Sequence, residues 1–330
     1  RLALAKSETD KAKFIDELGS KYIEAKNIDS ALVYAKLSLP ISQKSNNAEK
    51  IGRSYLFIGN LLIQKMDVVN SEKYLIEAEK FLNKTENYEK RALTYYFLAT
   101  INSINKNVKI ANDYCNQILS LNSQKKIKDK KLVLLAYQRL FQNNFVQENP
   151  VEGYKSLNTY IEFTKNNFPE YLFEAYSLAG IFYLQNKDFK KASIYFQENL
   201  KLANESKDDL KIANSKMFLG NIYSETKQYE KANNVLEEAK QYFEKNKLND
   251  NLKMIYYYLS DINYKQKKYE IAENEINKSL KLSNDKDPMH LYYVNHKGLI
   301  NLSKLTDQSI NFKNDEEKQN ELKNFVNQQV

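Results

Sequence analysis

The stretch that decides the fold runs from Lys211 to Lys245 and reads KIANSKMFLGNIYSETKQYEKANNVLEEAKQYFEK. A small residue, Gly220, lies within apolar residues at helical spacing, and a second, Ala232, follows twelve positions later. Apolar residues at i, i+3 and i+4 indicate one buried face on a helix. Small residues on two facing helices let their axes approach closely. The stretch therefore predicts a pair of antiparallel helices that cross at Gly220 and Ala232.

The same arrangement recurs along almost the whole chain, every 39 to 42 residues. We call the residues equivalent to Gly220 the markers; they are Gly19, Gly59, Ala99, Phe141, Gly180, Gly220 and Ser260. Twelve positions after each marker the residue is again small, and this set is Ala31, Ser71, Ala111, Gly153, Ala192, Ala232 and Ala272. Phe141 is the one large marker, so we expect the helices of the fourth hairpin to be splayed, with Gly153 compensating.

These spacings resemble the tetratricopeptide repeat (TPR), in which L-G-x2-Y on one helix is followed by A-x3-F on the next. Here the matching residues are Leu219-Gly220, Tyr223, Ala232 and Leu236. The resemblance implies an all-α fold, a right-handed α-solenoid of TPR-like helix-turn-helix repeats that pack on their neighbours. The opening stretch SETDKAKFIDELGSKYIEAKNIDSALVYAKLSL particularly resembles repeat arrays of bacterial sensor histidine kinases and membrane-tethered transcriptional regulators.

The repeat predicts a single superhelical domain over residues 1–330. About seven full repeats occupy 11–287, and a partial eighth repeat and a capping helix occupy 288–330, the last helix being placed at 315–328. Pro40 falls inside the second helix and predicts a kink or an early end there. The other three prolines, Pro150, Pro169 and Pro288, have the positions of helix starts.

The composition is that of a chain with a mixed charged surface. Lys and Arg number 50 against 42 Asp and Glu, and the two signs are interspersed, so the net charge of +8 indicates a solvated basic surface. An acidic partner or a membrane surface is the alternative meaning of that charge. Cys115 is the one cysteine and is expected to be buried. No apolar run has the length of a bilayer span, so membrane attachment is expected only through segments outside this chain.

No pattern in the sequence predicts catalysis, a metal or a cofactor. The two histidines, His290 and His296, are six residues apart and would not share a helix face, as metal ligands must. Neither a phosphate-binding loop nor a G-x-G-x-x-G motif is present. The chain is therefore predicted not to be an enzyme, and no catalytic, cofactor-binding or metal-binding residue is assigned.

The family resemblance implies that the first helix of each repeat, helix A, lines a concave groove. Marker offsets −3, +1 and +4 point roughly 140° away from the core direction. Amides at these positions suit a peptide backbone, since they donate and accept hydrogen bonds, and tyrosines supply contact area. The predicted peptide-binding residues are Asn60, Tyr96, Thr100, Gln138, Gln142, Asn221, Tyr257, Asp261 and Tyr264. Leu56 and Met217, at offset −3, depart from the carboxylate-clamp form of the family.

These features predict a non-catalytic scaffold that binds a protein or peptide segment in the groove. The first hypothesis is the ligand-sensing or interaction domain of a bacterial signal-transduction or transcription-regulatory protein. A free-standing assembly scaffold or adaptor is the alternative. An RNA-binding helical repeat is favoured less, because the groove positions mix polar, apolar and acidic residues. The expected compartment is extracytoplasmic (periplasmic) if the sensor resemblance holds, and cytoplasmic otherwise.

Overall fold

The computed structural model of the protein describes residues 8–146 and 150–306, and the regular structure in these two ranges is helical. A short 3-10 turn at Pro169–Tyr171 precedes the ninth helix. The helices are α1 (Glu8–Glu24), α2 (Ile28–Lys44), α3 (Ala48–Gln64), α4 (Val68–Leu82), α5 (Tyr88–Ile104), α6 (Val108–Ser123), α7 (Lys130–Val146), α8 (Pro150–Asn167), α9 (Leu172–Gln185), α10 (Phe189–Ser206), α11 (Asp209–Glu225), α12 (Tyr229–Lys245), α13 (Asn249–Lys265), α14 (Tyr269–Leu282) and α15 (His290–Thr306).

Each odd-numbered helix up to α13 packs against the even-numbered helix that follows it. The all-α fold of helix-turn-helix units is as predicted; seven such helix pairs precede α15, which lies where an eighth helix A was expected. The chain contacts separate into two compact units, Arg1–Pro169 and Glu170–Val330, so that α8 ends the first unit and α9 begins the second. The single domain over 1–330 stays a prediction, and the capping helix predicted at 315–328 lies outside the described residues.

The markers lie in the core of each hairpin, and all seven are buried. The small residue twelve positions later lies against the marker's backbone: the Ser71 hydroxyl donates a hydrogen bond to the Gly59 carbonyl at 2.7 Å. The side chain that covers the marker, however, comes from sixteen positions later. A Cβ built on Gly220 would lie 2.5 Å from Leu236 Cγ, and one on Gly59 would lie 2.7 Å from Leu75 Cγ. Glycine is required at these markers because a large apolar side chain occupies the space.

Tyrosine four residues before the marker packs against an aromatic ring of the second helix. Tyr95 stacks on Tyr114 with ring centroids 5.8 Å apart, and Tyr137 contacts Phe163 at 5.1 Å. Such pairs contribute stability beyond the area they bury. The same position carries Lys216 in the sixth hairpin, where its amine pairs with a carboxylate of the following helix instead.

Residues in the left-handed conformation end many of the helices. Lys227 has φ 61°, and the turn closes through hydrogen bonds from Lys227 N–H to Ser224 O and from Gln228 N–H to Tyr223 O. Glycine usually fills such positions, because a Cβ disfavours them by about 1 kcal/mol. Lysine is tolerated where its charge faces the negative end of the helix dipole. Within residues 8–146 and 150–306 these residues are Lys26, Asn46, Met66, Lys106, Lys125, Lys187, Lys207, Lys227, Lys247 and Lys267.

The prolines follow the predictions only in part. Of the kink or early end predicted at Pro40, the early end is wrong, because α2 continues to Lys44, and the kink stays a prediction. Buried Ala35 and Ser38 hold the turns before the proline against the core, so the loss of one backbone hydrogen bond does not end the helix. Pro150 is the first residue of α8, as predicted. Pro169 begins the 3-10 turn rather than α9, and α15 starts two residues after Pro288.

Candidate functional site

The predicted peptide-binding residues lie on the odd-numbered helices, and all nine are half-buried rather than exposed. The expectation that offset −3 points away from the core is wrong for two hairpins, since Leu56 is 5% exposed and Met217 is 2% exposed. The reason is that consecutive odd helices contact each other, α3 with α5 and α11 with α13. The face opposite the partner helix of a hairpin is therefore shared with the next hairpin.

Four of the predicted residues are amides whose hydrogen-bonding groups are available. The side chains of Asn60, Gln138, Gln142 and Asn221 make no hydrogen bond to any residue in the described part of the chain. Each is only half-buried, so their donors and acceptors are not trapped in the core. An amide in this state can pair with a peptide backbone without first breaking a contact within the protein.

In the first unit, Tyr96 and Thr100 of α5 are joined to a residue that the sequence did not single out. This residue is Arg139 of α7, which donates a hydrogen bond through Nη2 to Thr100 Oγ1 at 3.3 Å. Its guanidinium carbon lies 6.0 Å from the centre of the Tyr96 ring, within reach of a cation–π contact. Arg139 Nε is buried and has no hydrogen-bond partner among the described residues.

A signal for Arg139 was present in the sequence, at marker offset −2. Five of the other hairpins have an aromatic or aliphatic residue at this offset, and the first hairpin has Glu17. A charged residue at a position that is apolar in five of the seven hairpins marks a departure from the pattern of the core. The apolar residues are Phe57, Phe97, Leu178, Phe218 and Tyr258.

In the second unit, Asp261 is already engaged within the protein. Its carboxylate lies 2.7 Å from Lys265 Nζ, which also contacts Glu225 at 2.8 Å, and Ser224 donates to it at 3.3 Å. Burial by itself would lower the pKa of Lys265, but the hydrogen bonds to Asp261 and Glu225 outweigh it and the pKa is raised. A ligand would have to compete with Lys265 for Asp261, so its role in peptide binding stays a prediction.

Tyr257 and Tyr264 flank a buried histidine of α15. The ring centres of Tyr257 and Tyr264 lie 5.1 and 5.6 Å from that of His296, both edge-on, and Tyr264 Oη is 3.0 Å from Ser303 Oγ. Burial raises the pKa of Tyr257. The two tyrosines therefore contribute to the packing of α13 on α15, and their contact with a ligand stays a prediction.

His296 should make the second unit less stable as the pH falls. Burial lowers the pKa of His296 below its usual value of 6.5, with the Lys265 charge acting in the same direction and Asp261 against it, and its Nε2 lacks a partner among the described residues. Below pH 6.5 the unfolded chain therefore takes up a proton that the folded chain resists. The stabilising contribution is complete above 6.5 and is lost below it, at most about 1.4 kcal/mol per pH unit.

Denaturation of the His296→Leu variant between pH 5.5 and 7.5 checks this expectation. The free energy of unfolding of His296→Leu should no longer fall below pH 6.5 as far as it does in the wild type. In His290→Gln that fall should remain. His290 is the other histidine of the chain and hydrogen-bonds through Nδ1 to Ser283 Oγ at 2.8 Å. An unchanged pH profile in His296→Leu would contradict the assignment.

Three further features of the described residues bear on function, namely the state of the thiol, the grouping of possible metal ligands and the apolar character of the helices. Cys115 is fully buried, as predicted, and burial raises the pKa of its thiol to about 12, which keeps it out of the reactive thiolate form. No group of three or more His, Cys, Asp and Glu side chains in the described ranges is arranged around a metal position. None of the helices described is both long and apolar enough to cross a membrane.

The basic link between α6 and α7 is held by a carboxylate. Glu89 Oε1 accepts hydrogen bonds from the backbone N–H of Lys128 at 2.5 Å and of Asp129 at 3.3 Å. An open cleft of about 490 Å³ lies beside it and is also lined by Glu49, Tyr88 and Lys126. Both acidic and basic side chains line this cleft, so it offers no uniformly positive surface to a polyanion.

Comparison with known proteins is consistent with this architecture. Residues 171–245 match the family model of the tetratricopeptide repeat. No curated protein matches the sequence. The apo form of RapI is 13% identical with a TM-score of 0.63, and the match covers 82% of this chain and 97% of RapI.

Two further solved structures are similar across nearly the whole chain. NprR in complex with its cognate peptide NprX is 15% identical with a TM-score of 0.51, over 97% of this chain and 90% of NprR. A STAND signal transduction ATPase with a tetratricopeptide repeat sensor, from Pyrococcus horikoshii, is 17% identical with a TM-score of 0.56, over 99% of this chain and 53% of that one. Residues 171–245 are therefore tetratricopeptide repeats, and the chain has the fold of tetratricopeptide-repeat proteins.

Proposed function

We propose that this chain is a non-catalytic scaffold that binds a peptide or protein segment across the faces of its odd-numbered helices. The observation that carries the proposal is the set of half-buried amides without a partner in the described part of the chain, among them Asn60, Gln142 and Asn221. These three amides hold the same position in the second, fourth and sixth hairpins, and each offers both a donor and an acceptor to a peptide backbone.

We further propose that the binding event is a sensing step in signal transduction or transcription regulation. The support is indirect: NprR is solved with its cognate peptide, and the STAND protein carries its repeats as a sensor. A free-standing assembly scaffold or adaptor is the alternative, and it would show the same surface. The extracytoplasmic location proposed for a sensor goes with the first function, and a cytoplasmic location with the second.

A random heptapeptide library displayed on phage tests the binding function directly. Peptides recovered on the 330-residue chain would be synthesised and titrated by calorimetry against Asn60→Ala/Gln142→Ala in the first unit and Asn221→Ala in the second. Affinity should fall about 5- to 160-fold in the double variant if the first unit binds, or about 2- to 13-fold in Asn221→Ala if the second unit binds, because each lost amide hydrogen bond contributes roughly 0.5–1.5 kcal/mol. Because amides rather than charges hold the peptide, affinity should change little between low and high salt.

The matched control is Lys126→Glu/Lys128→Glu, since both lysines are exposed and lie in the basic link. This variant should bind peptide as the wild type does. Loss of binding on charge reversal, together with normal binding by the amide variants, would overturn the proposal in favour of an electrostatic partner such as RNA.

A further inference from the structure

The chain has few arginines, and those in the described residues all lie in the first unit. The sequence has 50 Lys and Arg together, and four of these are arginine. Arg1 precedes the described residues, and the other three, Arg53, Arg91 and Arg139, lie on α3, α5 and α7 of the first unit. A solvated basic surface needs only lysine, as the rest of the chain shows. The guanidinium differs in presenting a planar fork of donors that matches a carboxylate.

Arg139 lies in surroundings that are poorly suited to a charge, and it shares a buried, unpartnered Nε with Arg91. Its position is apolar in five other hairpins, it is half-buried, and its Nε is buried without a partner in the described ranges. Within these ranges it forms no ion pair, and its contacts are the Thr100 hydroxyl and the Tyr96 ring. A charge that is partly withdrawn from water and left unpaired lowers stability.

The two helices that contribute the contacts of Arg139 do not supply the missing negative charge. Helix α7 has no acidic residue, and the one acidic residue of α5 is Glu89, in its first turn and seven residues before Tyr96. Glu89 Oε1 accepts hydrogen bonds from the backbone of the link between α6 and α7. Arg139 therefore has no counter-charge on α5 or α7.

Thr100 and Tyr96 contact the guanidinium of Arg139, and Gln142 lies on the same helix face as Arg139. Tyr96 and Thr100 are four residues apart on α5, and Arg139 and Gln142 are three residues apart on α7, so each pair shares a helix face. Gln142 has no hydrogen bond to a described residue and can bind the atoms beside the charge. One guanidinium among neutral groups matches a single negative charge, whereas phosphate recognition typically uses clusters of arginines.

We propose that Arg139, with Gln142 beside it, binds a carboxylate of a peptide lying on the first unit. The inference rests on the proposed peptide-binding function and names the chemical group that the peptide must carry. Arg139 is at marker offset −2. It therefore differs from the family's carboxylate clamp, which uses offset −3, where the second hairpin has Leu56. The carboxylate is a chain terminus or an Asp or Glu side chain, and the experiments separate these sources.

The first experiment needs no peptide ligand. With four arginines in the chain, the Nε–Hε signals in a ¹⁵N correlation spectrum are few, and Arg139→Lys identifies the one that matters. Titration with N-acetylglycine should move the Arg139 signal to saturation, whereas N-acetylglycinamide should leave it unchanged. Arg53 is exposed and provides the internal control. Equal movement of both signals, no movement of Arg139, or a larger response to inorganic phosphate would overturn the proposal.

The second experiment uses peptides recovered from the display library. Affinity should fall about 10- to 100-fold in Arg139→Leu and not in Arg53→Leu, because a charge-assisted bidentate contact is lost. Amidation of the peptide C-terminus, or replacement of its Asp and Glu by Asn and Gln, should reproduce that loss and identify the source of the carboxylate. Thermal stability of Arg139→Leu should rise, which separates lost recognition from misfolding.

The two failures can be told apart. If no peptide binds the wild type, the proposed function is wrong, and the N-acetylglycine titration still tests Arg139. If peptides bind with the same affinity after Arg139→Leu and after amidation or neutralisation, the binding function stands and the carboxylate assignment is wrong.

Discussion

Replacing Phe141 with alanine should destabilise the first unit by about 3–5 kcal/mol, the usual cost of removing a buried aromatic side chain. Phe141 is fully buried and stacks on Phe145 with ring centroids 5.9 Å apart. Leu157, sixteen positions later, is also fully buried, so both positions that meet in the other hairpins are filled by large side chains here. Alanine at position 141 would leave a cavity that neither Phe145 nor Leu157 can fill.

The repeat pattern argues for the opposite outcome, and this makes the variant informative. Ala99 occupies the equivalent marker of the preceding hairpin, so the pattern alone would make alanine at 141 a return to the norm. Hydrogen exchange of α7 and α8, with urea denaturation, measures the change within the first unit. Phe141→Leu keeps most of the volume and should cost less than about 1.5 kcal/mol.

A loss below about 1 kcal/mol in Phe141→Ala would show that α7 and α8 close onto each other when the ring is removed. That result would contradict the cavity interpretation. The predicted splay of α7 from α8 stays a prediction. If the two helices move together in Phe141→Ala, the size of that movement would measure the splay.

Gly220→Ala should destabilise the second unit by about 1–3 kcal/mol relative to Gly19→Ala in the first. A Cβ on Gly220 would lie 2.5 Å from Leu236 Cγ, and Leu236 is fully buried and has no space to move. A Cβ on Gly19 would have its nearest neighbours, Phe57 and Tyr34, at 3.9 Å, which is ordinary contact. Both glycines lie inside helices, so the gain in helix propensity of about 1 kcal/mol applies to both and cancels in the comparison.

Denaturation of the two variants under identical conditions measures this difference. The third hairpin already has alanine at the marker, Ala99, and a smaller residue sixteen positions later, the fully buried Cys115. Combining Gly220→Ala with Leu236→Cys should therefore recover part of the loss that overpacking causes. Equal stabilities of Gly220→Ala and Gly19→Ala would mean that Leu236 does not occupy the space above the marker.

The sequence by itself determined the hairpins, because their causes are local. Small markers, the residues twelve positions later and apolar residues at helical spacing placed seven hairpins and the eighth helix A within a few residues of their observed positions. Pro150 could be placed at a helix start because its missing N–H is needed by no partner there. The predicted amides at 60, 138, 142 and 221 also lie on half-buried faces with their hydrogen-bonding groups available.

Only the tertiary structure decided which parts of each face are buried and which side chains meet. A helical angle says how far Leu56 or Met217 points from its own hairpin, but their burial depends on the next odd helix, forty residues away in the chain. The same holds for Leu236 above Gly220, for Glu225 of α11 beside Lys265 of α13, and for Arg139 between Tyr96 and Thr100. Periodicity describes one helix at a time, whereas contact between side chains is a property of the packed neighbours.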